Sequence, residues 1–103
     1  MSEDTLIEFS VVPLGVAGSL GPHVARVTRV VQRSGLPNEL HSMGTLVEGD
    51  LDRCLEVVKA SIRELLKDSP RVSASVKLDV RPGHTGRLRG KVASVERHLR
   101  DGK

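Results

Sequence analysis

Phe9 is the only aromatic residue in this 103-residue sequence, which has no tryptophan and no tyrosine. A core built without rings must come from aliphatics, here chiefly fifteen valines and thirteen leucines, and it gives up the stacking surface that rings provide. The same scarcity argues against a single-stranded nucleic-acid platform, which stacks bases on aromatic side chains. One cysteine, Cys54, excludes an internal disulfide and fits a reducing compartment. No apolar run reaches the length of a membrane span. The acidic start, MSEDTLIEFSVV, lacks the basic region and apolar stretch of a secretion signal, so the expected location is cytoplasmic.

Catalytic motifs are missing as well. There is no Walker, GxSxG, HExxH or CxxC pattern, and the glycines of GVAGSLG follow a GxxGxxG spacing rather than a dinucleotide fingerprint. Histidines 23, 41, 84 and 98 are too widely separated for a metal-type cluster. Cys54 lies on a helical stripe, where a buried structural thiol is the ordinary reading. None of these features supports an enzyme, and none calls for a metal or a cofactor.

What is present is a globular composition, 38% hydrophobic and 28% charged with a formal net charge of +3. Length and composition predict one domain over 1–103. Thr5 to Val12 alternates, with Ile7, Phe9 and Val11 on one side and Glu8 and Ser10 on the other, which predicts a half-buried strand. A glycine-rich loop follows. From Pro22 a helical period sets in on Val24, Val27 and Val31, with Gly35 placed to end it. PNELHSM and GTLVEG read as two strands joined tightly near Met43-Gly44. Asp50 stands as an N-cap before a helix over Leu51 to Lys67, whose apolar stripe is Leu51, Leu55, Val58, Ile62 and Leu65, with Cys54 alongside. RVSASVKLDVR is the clearest strand: Val72, Ala74, Val76, Leu78 and Val80 share one face. A basic loop then leads to a short helix carrying Val92, Val95 and Leu99.

The order β-α-β-β-α-β-α predicts an α+β fold, a ferredoxin-like βαββαβ two-layer sandwich with an added C-terminal helix. Such a sandwich leaves one sheet face without the two long helices. Strand phase puts Glu8, Ser10, Ser73, Ser75, Lys77, Asp79 and Arg81 there. That face is either solvated, as antiparallel sheets often are, or covered by a second copy with room for a ligand between small serines. The loop from Arg81 to Lys91 offers Arg81, Arg87 and Arg89, a set that could grip an oxyanion.

Several segments carry a resemblance. Pro13-Leu14-Gly15, Ser34-Gly35-Leu36, Met43-Gly44-Thr45 with Glu48-Gly49, and Gly90-Lys91-Val92 with Ser94-Val95-Glu96 resemble the small thiamine-binding proteins, the single-domain relatives of YkoF. The match spans nearly the whole chain. It implies a ferredoxin-like subunit that self-associates through its open sheet face into dimers or tetramers and binds thiamine or its hydroxymethylpyrimidine portion without catalysis. Joined to strand phase, it implies a ligand site drawn from Glu8, Ser10, Met43, Gly44, Thr45, Glu48 and Asp79, the carboxylates answering a cationic thiazolium or a ring amine. Relatives commonly have aromatics near the positions of His23, Asn38 and Leu51, which this chain lacks. Two other functions stay open: a regulatory or structural oligomeric module without a small-molecule ligand, and a basic oxyanion or nucleic-acid binder working through the 81–91 loop.

Overall fold

The computed structural model describes residues 3–102. Its elements run β1 (Asp4–Pro13), α1 (Gly21–Arg33), β2 (Asn38–His41), β3 (Gly44–Asp50), α2 (Leu51–Leu66), β4 (Val72–Val80) and α3 (Arg87–Arg100). The four strands form one antiparallel sheet in the order β2-β3-β1-β4, which puts the first and third strands in the centre as the topology requires.

One face of the sheet carries Ile7, Phe9, Val11 and Val47, all buried. Against them pack Val27 and Val31 of α1 and Cys54, Val57, Val58 and Leu65 of α2. The valines on the α1 stripe recur at helical spacing, Pro22 occupies its first turn, and Gly35 takes the left-handed conformation that ends it, with φ +73°.

The buried stripe of α2 differs from the sequence expectation by about one position. Leu55 is exposed, while Cys54, Val57 and Ser61 are inside. α2 packs beside α1 on the same face of the sheet, and its buried stripe includes a small residue. Ser61 fits there because its hydroxyl donates to the Val57 carbonyl at 2.8 Å, leaving no unmet polar group. Asp50 occupies the N-cap position in extended conformation, but its side chain makes no cap bond. Its Oδ1 instead accepts the Glu3 N–H at 3.4 Å.

The opposite face holds the residues that strand phase placed there. Glu8 lies opposite Lys77, Ser10 opposite Ser75 and Leu6 opposite Asp79. Two things were not legible in the side-chain pattern. Leu6 and Leu46 make that face partly apolar, and α3 is a full fourteen-residue helix tied to it through β3. Val92, Val95 and Leu99 of α3 remain exposed.

Candidate functional site

The central strand is longer than its neighbour, and a cavity forms where the neighbour stops. β1 pairs with β3 only from Asp4 to Phe9, whereas it pairs with β4 all the way to Pro13. Beyond Phe9 the β2–β3 hairpin turns away at Ser42-Met43, and the first turns of α1 close the other side. The result is a cavity of about 270 Å³ whose apolar walls include Leu20, Val24, Leu40 and Met43, with Ser10, His41 and Thr45 as polar members.

The backbone of β1 contributes directly to this cavity. The Arg81 N–H donates to the Asp4 carbonyl and the Leu14 N–H to the Arg71 carbonyl, both at 2.8 Å. Those two bonds fix the alternation: even-numbered residues of β1 turn their main-chain groups toward β4, and odd-numbered ones toward β3. Val11 therefore directs its N–H and C=O to the side where β3 has already ended, and Val11 borders the cavity. A donor and an acceptor side by side on one strand edge form a two-point recognition element.

The hairpin is fitted closely to this edge. Gly44 leaves no room for a side chain, since a β-carbon there would come within 2.9 Å of the Phe9 carbonyl oxygen. The Met43 N–H donates to His41 Nδ1 at 3.2 Å, so in the neutral ring the proton sits on Nε2. Nε2 lies 3.2 Å from Glu8 Oε2, within ion-pair distance but away from good hydrogen-bond geometry. The cavity wall thus has a carboxylate immediately behind its histidine.

The expected site residues fall into two groups. Ser10, Met43, Gly44 and Thr45 line the cavity together, with Glu8 adjoining through His41. Glu48 and Asp79 are elsewhere on the open face and hold α3 in place. Glu48 accepts the Arg87 N–H at 2.9 Å and the Leu88 N–H at 3.2 Å, one on each carboxylate oxygen. Asp79 Oδ2 is 3.1 Å from Arg87 Nη1, and Arg87 Nη2 donates to the carbonyls of Asp79 at 2.6 Å and Asp4 at 3.2 Å. Arg87 is thereby turned inward, while Arg81 and Arg89 are exposed. His23, Asn38 and Leu51 lie outside the cavity lining.

His41, Leu20, Val24, Leu40 and the Val11 main chain are the members that sequence reasoning missed. The one available signal was length, since the strand read over Thr5 to Val12 is longer than the one read as GTLVEG. Cys54, buried at 0% exposure, keeps its thiol protonated: burial raises its pKa above the ordinary 9.0, helped by Asp50 and Glu48 and opposed by Arg53. A larger groove of about 670 Å³ runs between α1 and α2, edged by Arg33, Arg53, Arg63 and Lys67. It contains none of the expected site residues.

A four-stranded ferredoxin-like sandwich, with a third helix on its open face and a cavity at the end of its central strand, defines the class. Within that class the chain belongs to the thiamine-binding protein family, whose sequence pattern matches residues 7–96. It is 45% identical over 95 residues to the UPF0045 protein Mb1933 of Mycobacterium bovis, covering 91% of this chain and 93% of that one. The solved structure of the hypothetical protein MJ1052 from Methanocaldococcus jannaschii superposes with a TM-score of 0.83 at 31% identity, over 91% of this chain and 97% of the other. The TM0486 protein of Thermotoga maritima, whose structure was described under a proposed role in thiamine biosynthesis or salvage, shares the fold. Its TM-score is 0.78 at 23% identity, covering 89% of this chain and 98% of that one.

Proposed function

We propose that this protein binds thiamine or its hydroxymethylpyrimidine portion, without catalysing a reaction on it, in the cavity beside Val11. The observation that carries the reading is the free main-chain pair of Val11 at the cavity wall. An aminopyrimidine presents a ring nitrogen that accepts next to an amino group that donates, and this edge complements a strand's N–H and C=O. The volume of about 270 Å³ is near the lower end of small-molecule sites, which start around 300 Å³. It suits one heterocycle, so the pyrimidine goes inside and the cationic thiazolium stays nearer the mouth. Glu8, beside His41, supplies negative charge for that cation.

Membership of the thiamine-binding protein family supports the ligand class. The same reading makes the protein a homo-oligomer associated through the open sheet face, where Leu6, Leu46 and the exposed Val92, Val95 and Leu99 of α3 offer apolar surface. Calorimetric titration with hydroxymethylpyrimidine, thiamine and thiamine phosphates tests the binding. Heat of binding with hydroxymethylpyrimidine and thiamine is expected. No heat with any of the three at millimolar ligand removes the proposal. Glu8→Gln is expected to weaken thiamine more than uncharged hydroxymethylpyrimidine, and equal effects on the two would remove the role given to Glu8.

A further inference from the structure

His41 ends β2 opposite Gly44 of β3, and the missing side chain there lets its imidazole lie across β3 toward β1. A β-carbon on Gly44 would stand 3.8 Å from His41 Cε1. The ring is thereby held between two groups that make opposite demands on it. On one side the Met43 N–H donates to Nδ1 at 3.2 Å, which requires that nitrogen to carry no proton. On the other side Glu8 Oε2 is 3.2 Å from Nε2, a buried atom with no hydrogen-bond partner among the described residues. A carboxylate at that distance attracts a cationic ring far more than a neutral one. A proton added to Nδ1 gives the ring a full charge beside Glu8 but sets two N–H groups against each other at Met43. The neutral ring serves the turn, and the charged ring serves the carboxylate.

The geometry points to His41 as the residue that sets the charge of the ligand this cavity accepts, a proton on its ring and a cationic ligand competing for the Glu8 carboxylate. The role presupposes the thiamine reading above and refines it to selection for the ligand's positive charge. With the ring neutral, Met43 stays bonded to Nδ1, the turn that lines the cavity keeps its place, and Glu8 keeps its negative charge for a thiazolium. With the ring protonated, a cation already stands beside Glu8 and repels a second one. The Met43 N–H loses its acceptor at the same time, so the turn loosens. Thiamine binding to the protonated protein therefore drives the Nδ1 proton off to solvent. An uncharged pyrimidine meets no such repulsion and responds only to the loosened turn.

The other groups near the ring supply fixed charge or none. Lys77 of β4 lies opposite Glu8, and Glu39, two residues before His41, borders a separate hollow with Arg89 and Glu96 of α3. α1 and its cap bring Leu20, Val24 and Val27 to the cavity, none of them charged. Carboxylates, lysines and arginines ordinarily hold their charge over the range where imidazoles titrate. His23, His84 and His98 lie outside the cavity lining. The His41 and Glu8 side chains both remain partly exposed, so proton and ligand reach the pair from solvent.

Calorimetric titration of thiamine and hydroxymethylpyrimidine at about pH 8 and about pH 6, either side of the imidazole range, tests this on the native chain and on His41→Asn. Each titration is run in two buffers of different ionisation enthalpy, which counts the protons released. Asparagine accepts the N–H two residues on, as in an Asx turn, so it keeps the turn without a titrating group. Both ligands carry the aminopyrimidine, so the ratio of their affinities removes that ring's own titration. In the native chain the preference for thiamine is expected to fall severalfold at the lower pH, by at most about tenfold per pH unit for one coupled proton. Thiamine should also release part of a proton there. In His41→Asn the preference should stay near its higher-pH value, without that release. A preference that does not change with pH in the native chain, no proton release, or the same pH dependence in His41→Asn overturns the role of His41 and leaves thiamine binding standing. No heat from either ligand removes the functional reading and this role with it. Proton release is read on the native chain, so it decides the matter even if His41→Asn fails to fold.

Discussion

Two glycines respond in opposite senses to the same added methyl group. Gly44 is pressed against the strand that carries the cavity, where a β-carbon would meet the Phe9 carbonyl oxygen at 2.9 Å. That oxygen belongs to backbone in the centre of the sheet and cannot move aside cheaply. Gly44→Ala should therefore lose stability by about 1–3 kcal/mol in urea unfolding, as overpacked sites do, and should weaken ligand binding by displacing the hairpin. Gly90 lies inside α3 with nothing within 4 Å of the added atom. There alanine should stabilise by about 0.5–1 kcal/mol, because glycine is the poorer helix former. Cys54 provides a titration at the same scale. Its pKa is raised in the folded chain, so the unfolded chain releases the thiol proton first and stability falls as pH rises past the ordinary value of 9.0. Cys54→Ala should remove that part of the alkaline decline, read as the difference between the two proteins' stability-pH curves. Below pH 8 the native thiol should resist iodoacetamide until the chain unfolds.

At the level of elements, strand phase was legible because a period of two sorts residues strictly between faces. Glu8, Ser10, Lys77 and Asp79 do share the face on which their letters put them. The helical stripe of α2 was less so. Ser61 counts as polar in any pattern, yet it is buried because its hydroxyl is satisfied within its own helix, and Leu55 counts as apolar yet is exposed. Glu48 shows a different limit. Its place on the open face could be read, but the use of its carboxylate depends on α3 arriving from forty residues downstream. Both oxygens receive α3's first N–H groups, an N-terminal cap made by a distant strand rather than by a neighbour in sequence. Glu48→Ala should therefore fray the start of α3, with a cost of about 0.5–2 kcal/mol as for other lost caps. Hydrogen exchange at Leu88 and Gly90 should accelerate while exchange in β1 stays slow. Unchanged protection there would show that the cap contributes nothing. Arg26 joins α1 to α2 in a comparable way. Its Nη1 donates to both Asp68 oxygens at 3.0 and 2.9 Å, and its Nη2 to the Glu64 carbonyl at 2.6 Å. Because the fork is planar and bidentate, Arg26→Lys should recover little of the stability that Arg26→Ala loses, roughly 1–2 kcal/mol in chemical unfolding.

For the whole molecule, the candidate site depends on a property that no side-chain letter encodes. Val11 reads as a core valine, and its side chain is indeed buried. The feature that the cavity shares with it is its main chain, left without a partner on the β3 side because β3 is three residues shorter than β1 and offset along it. The site is thus created by a mismatch of element lengths, while resemblance pointed to the hairpin residues beside it. This makes a test that does not alter the backbone donor itself. Val24, on the first turns of α1, lies at the cavity wall and is partly exposed, so Val24→Phe can fill space there without entering the core. A ligand held at about 100 times its Kd stabilises the native state by about 2.7 kcal/mol. In a domain of about 100 residues each kilocalorie moves the melting temperature by roughly 4 °C or more, so hydroxymethylpyrimidine should raise Tm by about 10 °C. The chain has neither tryptophan nor tyrosine, so the melt is followed by circular dichroism rather than by intrinsic fluorescence. Val24→Phe should melt near the native temperature without ligand and lose the ligand-induced rise. If the rise survives intact, the ligand is bound somewhere other than beside Val11.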